Sequence, residues 1–159
     1  MTYSEYKRVY VERKQAGALN DTNDPKSKRR NKHAEMYYET RRNSKKEPFV
    51  KRVAANTGMR EIAVSKIFDH VFIQKHNLWD GYHRFDADYE MAESFRRLSE
   101  GKEIQAHDLI MMKHEWLELS LMKRYNYEYE RAHRLAERKY NYKNALKSWY
   151  ERNGIKWSG

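Results

Sequence analysis

Apolar residues recur through most of the chain at three- and four-residue intervals, the spacing of a single buried face on an α-helix. Residues 3–16 predict a first helix, with Tyr3, Tyr6, Val9 and Tyr10 on one side and Lys7, Arg8, Arg13 and Lys14 elsewhere. The pattern then lapses. Asn20, Asp21, Asn23, Asp24 and Pro25 are turn formers, and Lys26, Lys28, Arg29 and Arg30 follow as a basic run, so Gly17 to Lys32 reads as a mobile linker. A short helix over 33–42 leads into a second basic cluster, Arg41, Arg42, Lys45 and Lys46. From Pro48, a favourable first helical residue, Phe49, Val50, Val53 and Ala54 predict a helix over 48–56 that leaves at Gly58. Glu61 to Ile73 repeats apolar positions at Ile62, Val64, Ile67, Phe68, Val71 and Phe72. The two helices form a helix-turn-helix pattern, but the second is too apolar to lie in a DNA groove.

Residues 77–86 predict a loop or short hairpin turning at Gly81, the one stretch suited to strands. Asp86 is expected to cap a helix over 87–99 that ends at Gly101. A long helix follows from about Gln105 to Arg124, then two more over 127–139 and 143–152, closed by Asn153 and Gly154. The fold class is therefore mainly α. A compact multi-helix domain over 46–159 carries a basic helical extension and flexible linker over 1–45, with at most one short hairpin.

Composition adds a partner class. Thirty-three Lys and Arg against 23 Asp and Glu leave a formal charge of +10, a field that draws polyanions and makes nucleic acid the leading partner. Hydropathy is low, but 14% of residues are aromatic, enough to build a core beneath a charged surface. No apolar run approaches a membrane span, and the N-terminus lacks the apolar stretch of a signal peptide. The absence of Cys excludes disulfides, thiol nucleophiles and Cys-based zinc sites.

The long helix carries the candidate chemistry. At 100° per residue, His107, His114 and Glu118 fall within an arc of roughly 40° at the edge of the stripe of Ile110, Leu117 and Leu121, so they point inward. Such groups form either a fully bonded structural network or a chemical site. Two chemistries compete. In metal-independent RNA cleavage, two imidazoles among His70, His83, His107 and His114 move the proton. Arg84 or Arg97 holds the phosphate, and Asp108 or Glu118 orients a ring; no cofactor is needed. In the alternative, a divalent metal binds His114, Glu118 and Glu115, a partial match to the zincin pattern in which Glu118 stands where the second His belongs. Glu130 and His133 form another carboxylate–imidazole pair, without the four helices that a di-iron bundle requires. The aromatic C-terminus, including Tyr125, Tyr127, Tyr140 and Trp157, offers either base-stacking platforms or core. A non-catalytic reading is also open, in which the basic N-terminal half binds nucleic acid and the His cluster is packing.

A set of short motifs carries a resemblance: AANTGM at 54–59, HVF at 70–72, HRFDADYEMAES at 83–94, RRLSEG at 96–101, HDLIMMKHEWLE at 107–118, EYERAH at 128–133 and KYNY at 139–142. Over about two-thirds of its length the chain resembles C-terminal domains of bacterial polymorphic toxins of the LXG type and of phage minor head proteins. The resemblance implies a toxic effector domain, commonly a nuclease, secreted or delivered into a target bacterial cytoplasm and blocked by a cognate immunity protein. The matching polar positions are His70, Arg84, Asp86, Arg97, His107, Asp108, His114, Glu115 and Glu118, with Asp86 and Asp108 counted beside the two arginines for substrate binding.

Overall fold

The stretch expected as a linker is helical from Pro25 onward. In the computed structural model, which describes residues 25–156, helix α1 (Pro25–Asn43) starts at that proline. Proline at the first helical position lacks only a donor that would be orphaned anyway, and the Lys, Arg, Ala, Glu and Met that follow are good helix formers. Packing supplies the rest: Ser27, Ala34 and Tyr38 are buried, and the Tyr38 ring meets Phe72 edge-on at 4.9 Å. The helix expected over 3–16 and Trp157 lie outside the described residues.

The chain continues through α2 (Lys46–Thr57), α3 (Glu61–Phe68), a π-helical turn (Asp69–Ile73), β1 (Lys75–Leu78) and β2 (Gly81–Arg84). Helices α4 (Tyr89–Glu100), α5 (Ala106–Tyr125), α6 (Tyr129–Lys139) and α7 (Tyr142–Arg152) complete it. The protein is mainly α. Among the described residues the strands form one antiparallel hairpin, with His76 opposite His83 and Leu78 opposite Gly81. Among the described residues no helix is long and apolar enough to cross a membrane.

An aromatic cluster forms the core. Phe49, Phe68, Phe72 and Phe95 come from α2, α3, the π-helical turn and α4, with ring centroids 5.0–6.5 Å apart. Burying each such side chain contributes about 1.5–3 kcal/mol. Arg41 and Lys46, from the second basic cluster, serve this packing: the Arg41 guanidinium stacks over Tyr37 and Phe49, and Lys46 pairs with Asp69 at 2.9 Å.

Helix ends follow local chemistry. Asp88, not Asp86, caps α4, its carboxylate accepting the Met91 N–H at 2.8 Å. The two aspartates differ by only two positions, and Tyr89 proves to be the first helical residue. Gly101 ends α4 with φ 72°, a left-handed conformation that suits glycine. Asn56 donates to the Leu98 carbonyl at 2.8 Å, tying the ends of α2 and α4 together.

The π-helical turn controls where His70 points. Gln74 N–H bonds the Asp69 carbonyl at 2.7 Å, closing a wider ring than an α-helix allows. With this extra residue in the turn, His70, Val71 and Phe72 are all buried, Phe72 in the aromatic core and His70 toward α5.

Candidate metal centre

Helix α5 buries its polar residues and exposes part of its apolar stripe. His107, Asp108, His114, Glu115 and Glu118 are buried together with Met111, Met112 and Leu119, whereas Leu109 is 38% exposed. Five titratable groups on one inward face are expensive to desolvate, so their partners decide what they do. Those partners divide them into two groups.

The first group lies at the start of α5. Arg97 of α4 grips Asp108 through Nε and Nη2 at 2.8 and 2.7 Å, and Asp108 also accepts the Gln105 N–H at 2.9 Å in a capping box. Arg97 Nη2 donates to His107 Nε2 at 3.1 Å, which requires a lone pair there. Burial, reinforced by the Arg97 charge against the opposing pull of Asp108, lowers the His107 pKa to about 4. Arg97, His107, Asp108 and Gln105 thus bond to one another. Their arrangement is that of a structural network.

The second group is built around Glu118, which is 1% exposed. Its Oε2 lies 3.1 Å from His114 Nε2 and 2.9 Å from His133 Nδ1, and these two nitrogens are 3.3 Å apart. Its Oε1 lies 2.7 Å from His70 Nε2. Glu115 completes the group, with Oε2 at 3.5 Å from His70 Nε2. Helix α6 supplies His133, the π-helical turn supplies His70, and α5 supplies the rest.

The outer contacts aim these rings. His114 Nδ1–H donates to the Tyr140 carbonyl at 3.1 Å, so in the neutral ring the lone pair sits on Nε2 and faces Glu118. His133 turns its other nitrogen toward Glu137 at 3.8 Å, and Tyr129 OH stands 3.3 Å from Nδ1. His76 donates Nε2–H to the His70 carbonyl at 2.8 Å and stacks on Phe85, fixing the backbone from which His70 projects.

Electrostatics tie the group together. Burial alone would raise Glu118, but hydrogen bonds from His114, His133 and His70 hold its carboxyl well below the usual range. Burial likewise opposes a charge on His114, yet the Glu118 hydrogen bond and the Glu115 charge push it up to about 9. Glu115 is pushed up to about 7 by burial and by Glu118 beside it.

Cavities touch the centre at His70 and at Glu115 and Glu118. A cleft of about 560 Å³ is lined by His70, Gln74, His76, Tyr82, Met122 and Lys123, and reaches the group at His70. A smaller space of about 10 Å³ is bounded by Tyr38, Asp86, Asp88, Met91, Glu115 and Glu118.

The structure thus brings together His70, His114, Glu115 and Glu118, and places Asp86 at the small cavity. It does not bring in His83, whose Nε2 pairs with Asp80 at 2.7 Å on the hairpin, or Arg84, whose Nε donates to the Ile73 carbonyl at 3.1 Å. His107, Arg97 and Asp108 form their separate network. His133 and His76 are the additions. His133 had a signal in the sequence, because it shares the stripe of Tyr129, Ala132 and Ala136, whereas Glu130 beside it faces out. Of the C-terminal aromatics, Tyr129, Tyr142 and Tyr150 are core, and Tyr125 is 57% exposed and stacked on Tyr127. Comparison with protein-family models, with curated proteins and with solved structures finds no match.

Proposed function

We propose that the protein is a divalent-metal-dependent hydrolase of nucleic-acid phosphodiesters, with the ion held by His114, Glu118 and His133. The convergence of His114 Nε2, His133 Nδ1 and Glu118 Oε2, separated by 2.9–3.3 Å, carries this reading. Ligand atoms at ~2.0–2.1 Å from one tetrahedral ion stand about 3.3 Å apart. The second contacts of both rings are those of metal-bound imidazoles, one to a backbone carbonyl and one facing a carboxylate.

Three protein ligands leave positions for water and substrate. A divalent ion held by His114, Glu118 and His133 would supply activation of water near neutral pH and stabilisation of charge on the phosphoryl oxygens. Water oxygen adds to phosphorus, the P–O bond to the leaving group breaks, and a proton passes to that departing oxygen. The chain contributes cations for substrate: Lys75 and Lys123, both exposed, border the cleft that reaches His70. A second cleft, of about 440 Å³, gathers Arg41, Arg52, Arg96 and Lys102 beside Glu100. Five carboxylates, Asp88, Glu90, Asp108, Glu115 and Glu118, are buried, so the excess of positive charge lies outward, where a polyanion meets it.

In the effector setting that the toxin resemblance implies, this activity would harm a cell lacking an immunity partner. The test uses untagged protein, assayed for bound metal by mass spectrometry and for cleavage of total RNA and of plasmid DNA. Bound divalent metal, cleavage abolished by EDTA and cleavage restored by Zn²⁺ or Mn²⁺ are expected. Protein that takes up no ion would overturn the reading. Cleavage that persists in EDTA would also overturn it, returning the chemistry to proton transfer between imidazoles.

A further inference from the structure

Resting on the metal-dependent reading, we infer that the centre is built for two ions, bridged by Glu118, the second held by His70 and Glu115. The first observation is how Glu118 divides its carboxylate. Oε2 serves His114 and His133, while Oε1 faces His70 at 2.7 Å. A carboxylate whose oxygens each belong to a different imidazole set is placed to bridge two cations.

The second observation is an orphan. Glu115 is 5% exposed, and its Oε2 accepts no hydrogen bond. A buried carboxylate oxygen without a donor is costly, and native structures answer that cost with a proton, a water or a cation. His70 Nε2 is 3.5 Å away, within ion-pair reach but outside hydrogen-bond geometry. Glu115 Oε2 and Glu118 Oε1 thus both face His70 Nε2, and one ligand atom from each of the three residues lies within 4.8 Å of the others. Ligands of one ion at ~2.0–2.2 Å are separated by about 2.8–4.4 Å, so His70 Nε2 and Glu118 Oε1, 2.7 Å apart, would part slightly to take it.

The third observation is space. Glu115 and Glu118 border the cavity of about 10 Å³, the size of a single water or ion, with Asp86 and Asp88 on its wall, while His70 borders the open cleft instead. Asp88 is engaged in capping α4, and Asp86 is exposed, so Glu115 is the carboxylate left to answer for the interior of that space. The mixture of imidazole nitrogen and carboxylate oxygen suits Zn²⁺, Mn²⁺ or Fe²⁺. Two ions sharing one carboxylate can clamp both the attacking and the leaving oxygen of a phosphodiester. The open cleft meets this half of the centre at His70.

The experiment counts ions. Full-length untagged protein is stripped with chelator, titrated with Mn²⁺ alone, and analysed for manganese per chain and by electron paramagnetic resonance. Wild type is expected to take two Mn²⁺ and to show a spin-coupled spectrum. Glu115→Gln keeps the shape and removes the charge; it should take one Mn²⁺ with the six-line signal of an isolated ion. His70→Asn should do the same, and serves if Glu115→Gln fails to fold. One Mn²⁺ in wild type, or two in both variants, would overturn the second site and leave the first standing. No Mn²⁺ in wild type would remove the metal-dependent reading itself.

Discussion

Acidification should expose the strain of the buried, neutral His107. Its Nε2 accepts from Arg97 Nη2 at 3.1 Å, so protonation would destroy an acceptor and place a second cation against the guanidinium. The folded pKa is about 4, against 6.5 for the free side chain. Above pH 6.5 the ring is neutral in both states and contributes no slope. Between about 6.5 and 4 the unfolded chain takes up a proton that the folded one refuses, so stability falls as pH falls; below about 4 the loss levels off. With those two values, linkage gives a loss of about 2 kcal/mol between pH 7.5 and pH 5. Other buried groups titrate across the same range, so the measurement is a difference. Urea unfolding of wild type and His107→Gln is followed at pH 7.5, 6 and 5, the Gln amide oxygen accepting from Arg97 without titrating. The gap between the two should move by about 2 kcal/mol in favour of the variant as pH drops. A gap constant with pH would refute the neutral, Arg97-bonded ring.

Asp108→Asn removes the charge from a fully buried aspartate and leaves the partly buried Arg97 guanidinium uncompensated, which should cost about 2–3 kcal/mol in urea unfolding at neutral pH. Gly58→Ala and Gly101→Ala both force alanine into the left-handed region, at φ 75° and 72°, and each should cost about 1–2 kcal/mol. Gly101→Ala should cost more, because its Cβ meets the Asn56 amide at 3.0 Å while Gly58 has open space; equal shifts in thermal midpoint would contradict the crowding. Ser94 Oγ and Tyr142 OH meet at 2.9 Å inside the core, so Ser94→Ala, Tyr142→Phe and the double variant should yield a coupling of about 1 kcal/mol in a double-mutant cycle. Additive losses would show that the two hydroxyls do not depend on each other.

Local pattern determined much of this protein. The hairpin turning at Gly81, the exits at Gly58 and Gly101 and the inward placement of His107, His114 and Glu118 on one long helix follow from spacing, because side-chain direction repeats with helical period. The same rules misplaced what depends on more distant contacts. The basic run after Pro25 is helical because Ala34 and Tyr38 find a core to bury against, and composition alone does not reveal that core.

Only the tertiary structure decided which polar groups meet. His107 and Glu118 share a face of α5, yet one joins Arg97 and the other joins three imidazoles, because different elements pack over the two ends of that face. His70 lies 48 residues from Glu118 and His133 lies 15 away, and each reaches it through a π-helical turn or a helix packed alongside. Spacing within a helix is set by backbone geometry and can be read locally. Convergence between helices is set by how apolar faces pack, and that is a property of the whole chain.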